Sequence, residues 1–214
     1  MNNRYLDLID QTFDWPVLDL ALSEDRLFVF DIDITAVVEK YGSPLKVFYL
    51  PKIRNKIVTA RKLFAQAREK VGYQGAYTFC YCTKSSHFSF VMEQVLSQDA
   101  HLETSSAFDM KLIKNLFDQG RLNKDKYVLC NGYKVENYKK EISGFINNGF
   151  KNVIPILDHL EEIEYYNEHV KTEFTLGLRI AAEEEPNFGF YTSRLGIRYK
   201  DLKDLYINKI KSNS

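Results

Sequence analysis

The sequence predicts an α/β fold: an incomplete (β/α)8, or TIM, barrel of about five strand-then-helix units, preceded by a strand–helix–strand segment. Three observations carry this. From residue 77 onward, short runs of aliphatic, aromatic and cysteine residues alternate with longer segments whose apolar positions recur at helical spacing. That alternation means a parallel sheet with right-handed crossovers. Each run also ends in polar residues, namely Lys84, residues 103–106, Asn131, Asp158 and Arg179. Polar ends on successive strands are how a β/α barrel builds a site. Finally, no GxGxxG motif follows any run, which removes the best support for a dinucleotide-binding alternative.

Composition narrows the classes. With 214 residues, 45% of them hydrophobic, the chain can bury one sizeable core. Its 29 basic residues balance 29 acidic ones, so no global field draws it to nucleic acid or an anionic membrane. Three cysteines form no disulfide framework, and the odd count fits a reducing compartment. Cys80 and Cys82 have the wrong spacing for a zinc knuckle; they read as small core hydrophobes, and no metal site is expected. No signal-peptide core or membrane-length apolar run is present, so a soluble cytoplasmic protein is expected.

Taken in order, residues 5–22 mix aromatics with acids around Trp15-Pro16 and predict a short helix with an irregular lead-in. Two strands follow at 27–30 and 45–50. Between them Asp31 or Asp33 can cap a helix through about Lys40, which Gly42 and Pro44 end. Pro51 opens a long helix with Ile53, Ile57, Ala60, Phe64, Ala67 and Val71 on one stripe. The first unit has a strand over 77–84 that reads as buried on both faces. Its helix carries Phe88, Val91, Met92 and Val95. The second strand leads into residues 101–106 and a helix with Phe108, Leu112, Leu116 and Phe117. The third runs over 127–132, with Tyr138, Ile142 and Phe145 on its helix. The fourth covers 152–158, followed by Leu160, Ile163 and Tyr166. The fifth covers 174–180, and an amphipathic helix spans about 200–211.

Lysine is rarely buried without a partner, so Lys84 at the end of a buried strand is the first candidate for chemistry. The alternative is a solvated lysine opening an ordinary loop. For Arg179 the alternative is a salt bridge to Glu103 or Asp158 across the barrel mouth. His87 and His101 read as ordinary structural histidines.

The ordered motifs Tyr41-Gly-Ser-Pro-Leu45, Val47-Phe-Tyr-Leu50, Tyr81-Cys-Thr-Lys84, Glu103-Thr-Ser-Ser106, Val128-Leu-Cys-Asn-Gly-Tyr-Lys134, Leu178-Arg-Ile180 and Ser193-Arg-Leu-Gly196 give the chain a family likeness. From about residue 27 to its last residue it resembles the fold type III pyridoxal-phosphate decarboxylases of ornithine, diaminopimelate and arginine, and most of all the biosynthetic arginine decarboxylases. The resemblance implies an alanine racemase-like barrel and pyridoxal 5'-phosphate as cofactor. It also implies a small amino-acid substrate, arginine converted to agmatine and carbon dioxide for polyamine synthesis. Pyridoxal phosphate is the electron sink for the carbanion left by decarboxylation. The resemblance makes Lys84 the lysine that holds it as an imine, a role that partial desolvation at a barrel mouth would favour. Arg179 matches the family's arginine near the ring hydroxyl. Glu103, Ser105 and Asn131 match positions lining the same mouth.

The resemblance also implies a division of the chain: residues 1–50 as a lead-in with strands of a β-domain, and 51–214 as a partial cofactor-binding barrel. A full barrel takes about 250 residues. The family's sixth strand with its histidine, the glycine-rich phosphate grip, the acid that pairs with the pyridine nitrogen and the C-terminal β-domain are all expected beyond Ser214. Family members are homodimers, and this chain is expected to need its missing half for full activity. The alternatives are a non-catalytic regulatory paralogue, or a fragment of a diaminopimelate or ornithine decarboxylase.

Overall fold

The computed structural model describes residues 19–181 and 196–211. The helix expected near residue 5, Trp15-Pro16 and Ser193-Arg194-Leu195 lie outside the described residues. The chain divides into two compact units, residues 1–48 and 49–214.

In the first unit, β1 (Leu20–Ser23), β2 (Arg26–Val29) and β3 (Ile32–Asp33) form an antiparallel meander. Two-residue turns join them, with φ positive at both central positions: Glu24 and Asp25, then Phe30 and Asp31. Such turns match the right-handed twist of paired strands but usually recruit glycine or asparagine. Neither turn has one, and residues 20–22, expected as irregular lead-in, lie instead in the paired strand β1. Asp33 then caps α1 (Ile34–Tyr41), its carboxylate accepting from the Ala36 N–H at 2.9 Å. Of the two aspartates that could cap, the second does so. The strand expected at 45–50 does not form; residues 45–49 carry no ladder and helix begins at Leu50. An apolar extended run becomes a strand only where a neighbouring edge supplies its hydrogen bonds.

The second unit opens with α2 (Leu50–Val71), with Pro51 in its first turn and Gly72 in the left-handed conformation behind it. Of its predicted stripe only Ile57 is buried, and Phe64 and Val71 are exposed. Then come β4 (Cys80–Cys82), α3 (Ser89–Leu96), β5 (His101–Thr104), α4 (Ala107–Asp118), β6 (Val128–Cys130), α5 (Glu136–Asn147), β7 (Val153–Leu157), α6 (Glu162–His169), β8 (Gly177–Leu178) and α7 (Tyr199–Leu205). All five of these strands are parallel and neighbour one another in chain order. An isolated parallel bridge, Ile180 to Ile197, extends the sheet one step past β8.

Residue alternation along the strands sorts two faces. Leu102, Thr104, Val128, Cys130, Val153 and Leu157 are buried toward the helices. They share the core with Val91, Met92, Val95, Met110, Ile113, Ile142, Ile146 and Ile163. Burying each large aliphatic side chain contributes about 1.5–3 kcal/mol. The opposite face, with Cys80, Cys82, Glu103, Leu129, Ile154 and Ile156, is only half-buried. The strand ending at Lys84 is therefore not buried on both faces as expected: helices cover one side, and the described residues cover the other only in part. Phe108 also departs from expectation. It is 81% exposed, whereas Leu116 of the expected stripe is buried, together with Met110 and Ile113.

Pro155 sits inside β7, where a missing N–H should break a ladder. Asn152 O accepts from β6, so the odd-numbered residues 153, 155 and 157 face β8, as the bond from Arg179 N–H to Leu157 O shows. The β8 ladder starts only at Ile156. The absent donor thus faces the one side where no ladder partner waits for it.

Candidate functional site

The sheet's C-terminal ends form a rim, and the predicted residues follow one another along it. Lys84 lies on a 3-10 turn, Thr83–Ser85, immediately after β4. Glu103 is on β5, cross-strand from Cys82, on the half-buried face. Asn131 directly follows β6, and Arg179 directly follows β8.

Lys84 is exposed. Among the described residues β4 is an edge strand, and the face beside Lys84 is incompletely covered. The Lys84 charge acts on that face. Burial first, and the Glu103 carboxylate second, push the Cys82 thiol up from its ordinary value, while the Lys84 backbone N–H and ammonium pull it the other way. Burial and Glu103 push Cys80 up as well. Glu103 thus bears on both thiols, and Lys84 on Cys82.

Two predicted residues are engaged in local caps. The Ser105 N–H donates to Asp109 Oδ2 at 2.8 Å, and Ser106 caps α4 by accepting from the Asp109 N–H. Asn131 Oδ1 accepts from the Gly132 N–H at 3.0 Å, which closes the turn after β6. Arg179 places Nη1 3.6 Å from Asp158 Oδ1. This is one of the two bridges the sequence left open for it. His101 is structural, its Nδ1 accepting the Tyr127 N–H at 2.9 Å. Among the described residues no cluster of three or more His, Cys, Asp and Glu could hold a metal ion. No described helix is long and apolar enough to cross a membrane.

One feature beneath the rim has no counterpart in the sequence reading. Lys134, the last residue of a quoted motif, is fully withdrawn from solvent and lies 3.0 Å from Glu162 Oε2. Its Nζ also donates to the carbonyls of Gly132 and Ile156. The strand donor that would continue the β6 ladder to Ile156 O is the Gly132 N–H, and Asn131 has claimed it. Lys134 takes its place. Burial pushes the Glu162 carboxyl up, against the pull of Lys134, and Asp158 adds to the rise. A lysine two residues past a glycine turn and an acid in the next unit's first helical turn were the available signal.

No protein-family model matches the chain, and no curated protein does. Solved structures do. The diaminopimelate decarboxylase of M. jannaschii matches with a TM-score of 0.70 at 17% identity, over 88% of this chain and 44% of that one. The biosynthetic arginine decarboxylase of Campylobacter jejuni matches with a TM-score of 0.68 at 19% identity, over 100% of this chain and 36% of that one. The arginine decarboxylase of Paramecium bursaria Chlorella virus matches with a TM-score of 0.56 at 11% identity, over 80% and 42%. At these identities the likeness bears on the fold alone, an α/β arrangement of five parallel strands with helices. The chain spans less than half the length of each of these structures.

Proposed function

We propose that this chain is the N-terminal part of a pyridoxal-phosphate-dependent amino-acid decarboxylase, acting on arginine to release agmatine and carbon dioxide. The observation that carries the reading is the order of the rim. An amine, a carboxylate, an amide and a guanidinium (Lys84, Glu103, Asn131, Arg179) sit at or near the C-terminal ends of β4, β5, β6 and β8, the end where barrels of this type place their sites. The residues fit the cofactor: Lys84 offers an exposed primary amine and Arg179 a cation with its side chain 40% exposed. When bound, pyridoxal phosphate supplies the electron sink for carbanion chemistry.

In this reading Lys84 would hold the cofactor through its amine and could move a proton at that amine. Arg179 would offer a cation to an anionic ring oxygen, and Glu103 would set the charge along the wall between them. The likeness to two arginine decarboxylases, one covering the whole chain, supports arginine; that to a diaminopimelate decarboxylase makes diaminopimelate the substrate to test beside it. The half-buried inner face supports a partial barrel that needs further strand–helix units for turnover.

The test is to titrate the purified chain with pyridoxal phosphate, trap with borohydride, and map the adduct by peptide mass spectrometry. A stoichiometric adduct on Lys84, lost in Lys84→Ala, is the expected result. Adducts scattered over exposed lysines such as Lys62 and Lys140, with none enriched on Lys84, would sink the reading. Agmatine formation by the chain alone would refute the partial-barrel part of it.

A further inference from the structure

Behind Arg179 lies a run of four charges from the interior to the rim, two carboxylates flanked by two cations. Lys134 and Glu162 are paired and buried, and Asp158 precedes Glu162 by one helical turn in sequence. Asp158 is 1% exposed, and neither of its carboxylate oxygens accepts a hydrogen bond from the described residues. A buried carboxylate without hydrogen bonds is costly unless a fixed cation balances it. Lys134 is committed to Glu162 and two carbonyls, which leaves Arg179, whose Nη1 is 3.6 Å from Asp158 Oδ1. The backbone of Arg179 is pinned as well, its N–H donating to Leu157 O at 3.0 Å. Of the four charged side chains only Arg179 reaches solvent appreciably.

We infer that Asp158 is a positioning residue: from the end of β7 it holds the Arg179 guanidinium in one orientation at the rim, ready for an anionic oxygen. The guanidinium is a rigid fork with five N–H donors. A carboxylate charge beside one terminal nitrogen, with no hydrogen bond between them, keeps the fork at the rim and leaves its donors for a ligand. This deepens the proposed function and rests on it for the identity of that ligand, but not for the pairing itself.

The experiment reads the pairing without any cofactor. Phenylglyoxal modifies free guanidinium groups, and the rate at Arg179 is measured by peptide mass spectrometry against the exposed Arg54 as internal reference. Asp158→Asn is expected to raise the relative rate at Arg179 by about fivefold. Asp158→Glu, which keeps the charge, returns it to within about twofold of the parent. An unchanged rate in an Asp158→Asn chain with parental circular dichroism overturns the inference. If that variant fails to fold, the parent chain decides: NMR of guanidinium rotation is expected to show slower Nε–Cζ rotation at Arg179 than at Arg54, and equal rotation overturns the inference. Failure to trap a Lys84 adduct would bear on the cofactor reading alone, because the labelling contains no pyridoxal phosphate.

Discussion

Lys134 Nζ and Glu162 Oε2 lie 3.0 Å apart with both side chains withdrawn from solvent, at the point where β6 runs out and β7 continues. The Glu162 oxygens do not meet hydrogen-bond geometry, so the attraction is ionic rather than directional. The pair does what a further strand residue would otherwise do. It satisfies the Ile156 carbonyl and ties the loop after β6 to the first turn of α6.

Breaking a buried pair by removing one partner strands the other's charge. Lys134→Met is expected to lower unfolding stability by about 3–5 kcal/mol, measured by urea denaturation. The double variant Lys134→Met, Glu162→Leu should cost less than the single one, because it leaves no uncompensated ion.

Glu162 also makes stability depend on pH with a definite sign. Its proton is held more tightly in the folded chain than at the ordinary glutamate value of 4.5. This contribution is fully present below 4.5 and is lost as pH rises through the raised folded value. The stability difference between the parent and Glu162→Gln should therefore shift against the parent between pH 4.5 and neutrality. A flat difference across that window in paired denaturation curves would contradict it.

The two faces of α4 give a sharper contrast. Phe108 is 81% exposed and Met110 is 0% exposed, because positions two apart on a helix point to opposite sides. Phe108→Ala should change stability by no more than about 0.5 kcal/mol. Met110→Ala should cost about 2–5 kcal/mol in the same assay.

In the first unit, Asp33 is held below the ordinary aspartate value of 3.8, chiefly by the Ala36 N–H and further by Arg26, whose Nε lies 2.5 Å away. The stabilisation it lends to α1 is present above 3.8 and is lost as pH falls through its lower folded value. Asp33→Ala should accelerate amide exchange at Ala36 several-fold at neutral pH while leaving the amides of α5 unchanged.

Where the sequence read well, the signal was local and repeated. The burial of Val91, Met92 and Val95 on α3, and of Tyr138, Ile142 and Phe145 on α5, follows from spacing alone. The hairpins at 24–25 and 30–31 were missed because their turns carry Glu-Asp and Phe-Asp rather than a glycine. The segment at 45–50 was misread because its composition suits a strand but no ladder forms on it. Lys84, Glu103, Asn131 and Arg179 were legible as polar residues at strand ends. That Asn131 closes its own turn while Arg179 faces Asp158 was not, since both depend on which group lies opposite.

From its order of residues alone this chain was bound to alternate strand and helix and to carry its polar residues at one end of each strand, because period and capping act within a few neighbours. The pairing of Lys134 with Glu162, the burial of Asp158 and the exposure of Lys84 were decided only once the strands stood side by side. Each depends on desolvation and on charges brought close from distant positions, and neither quantity exists until the chain has folded.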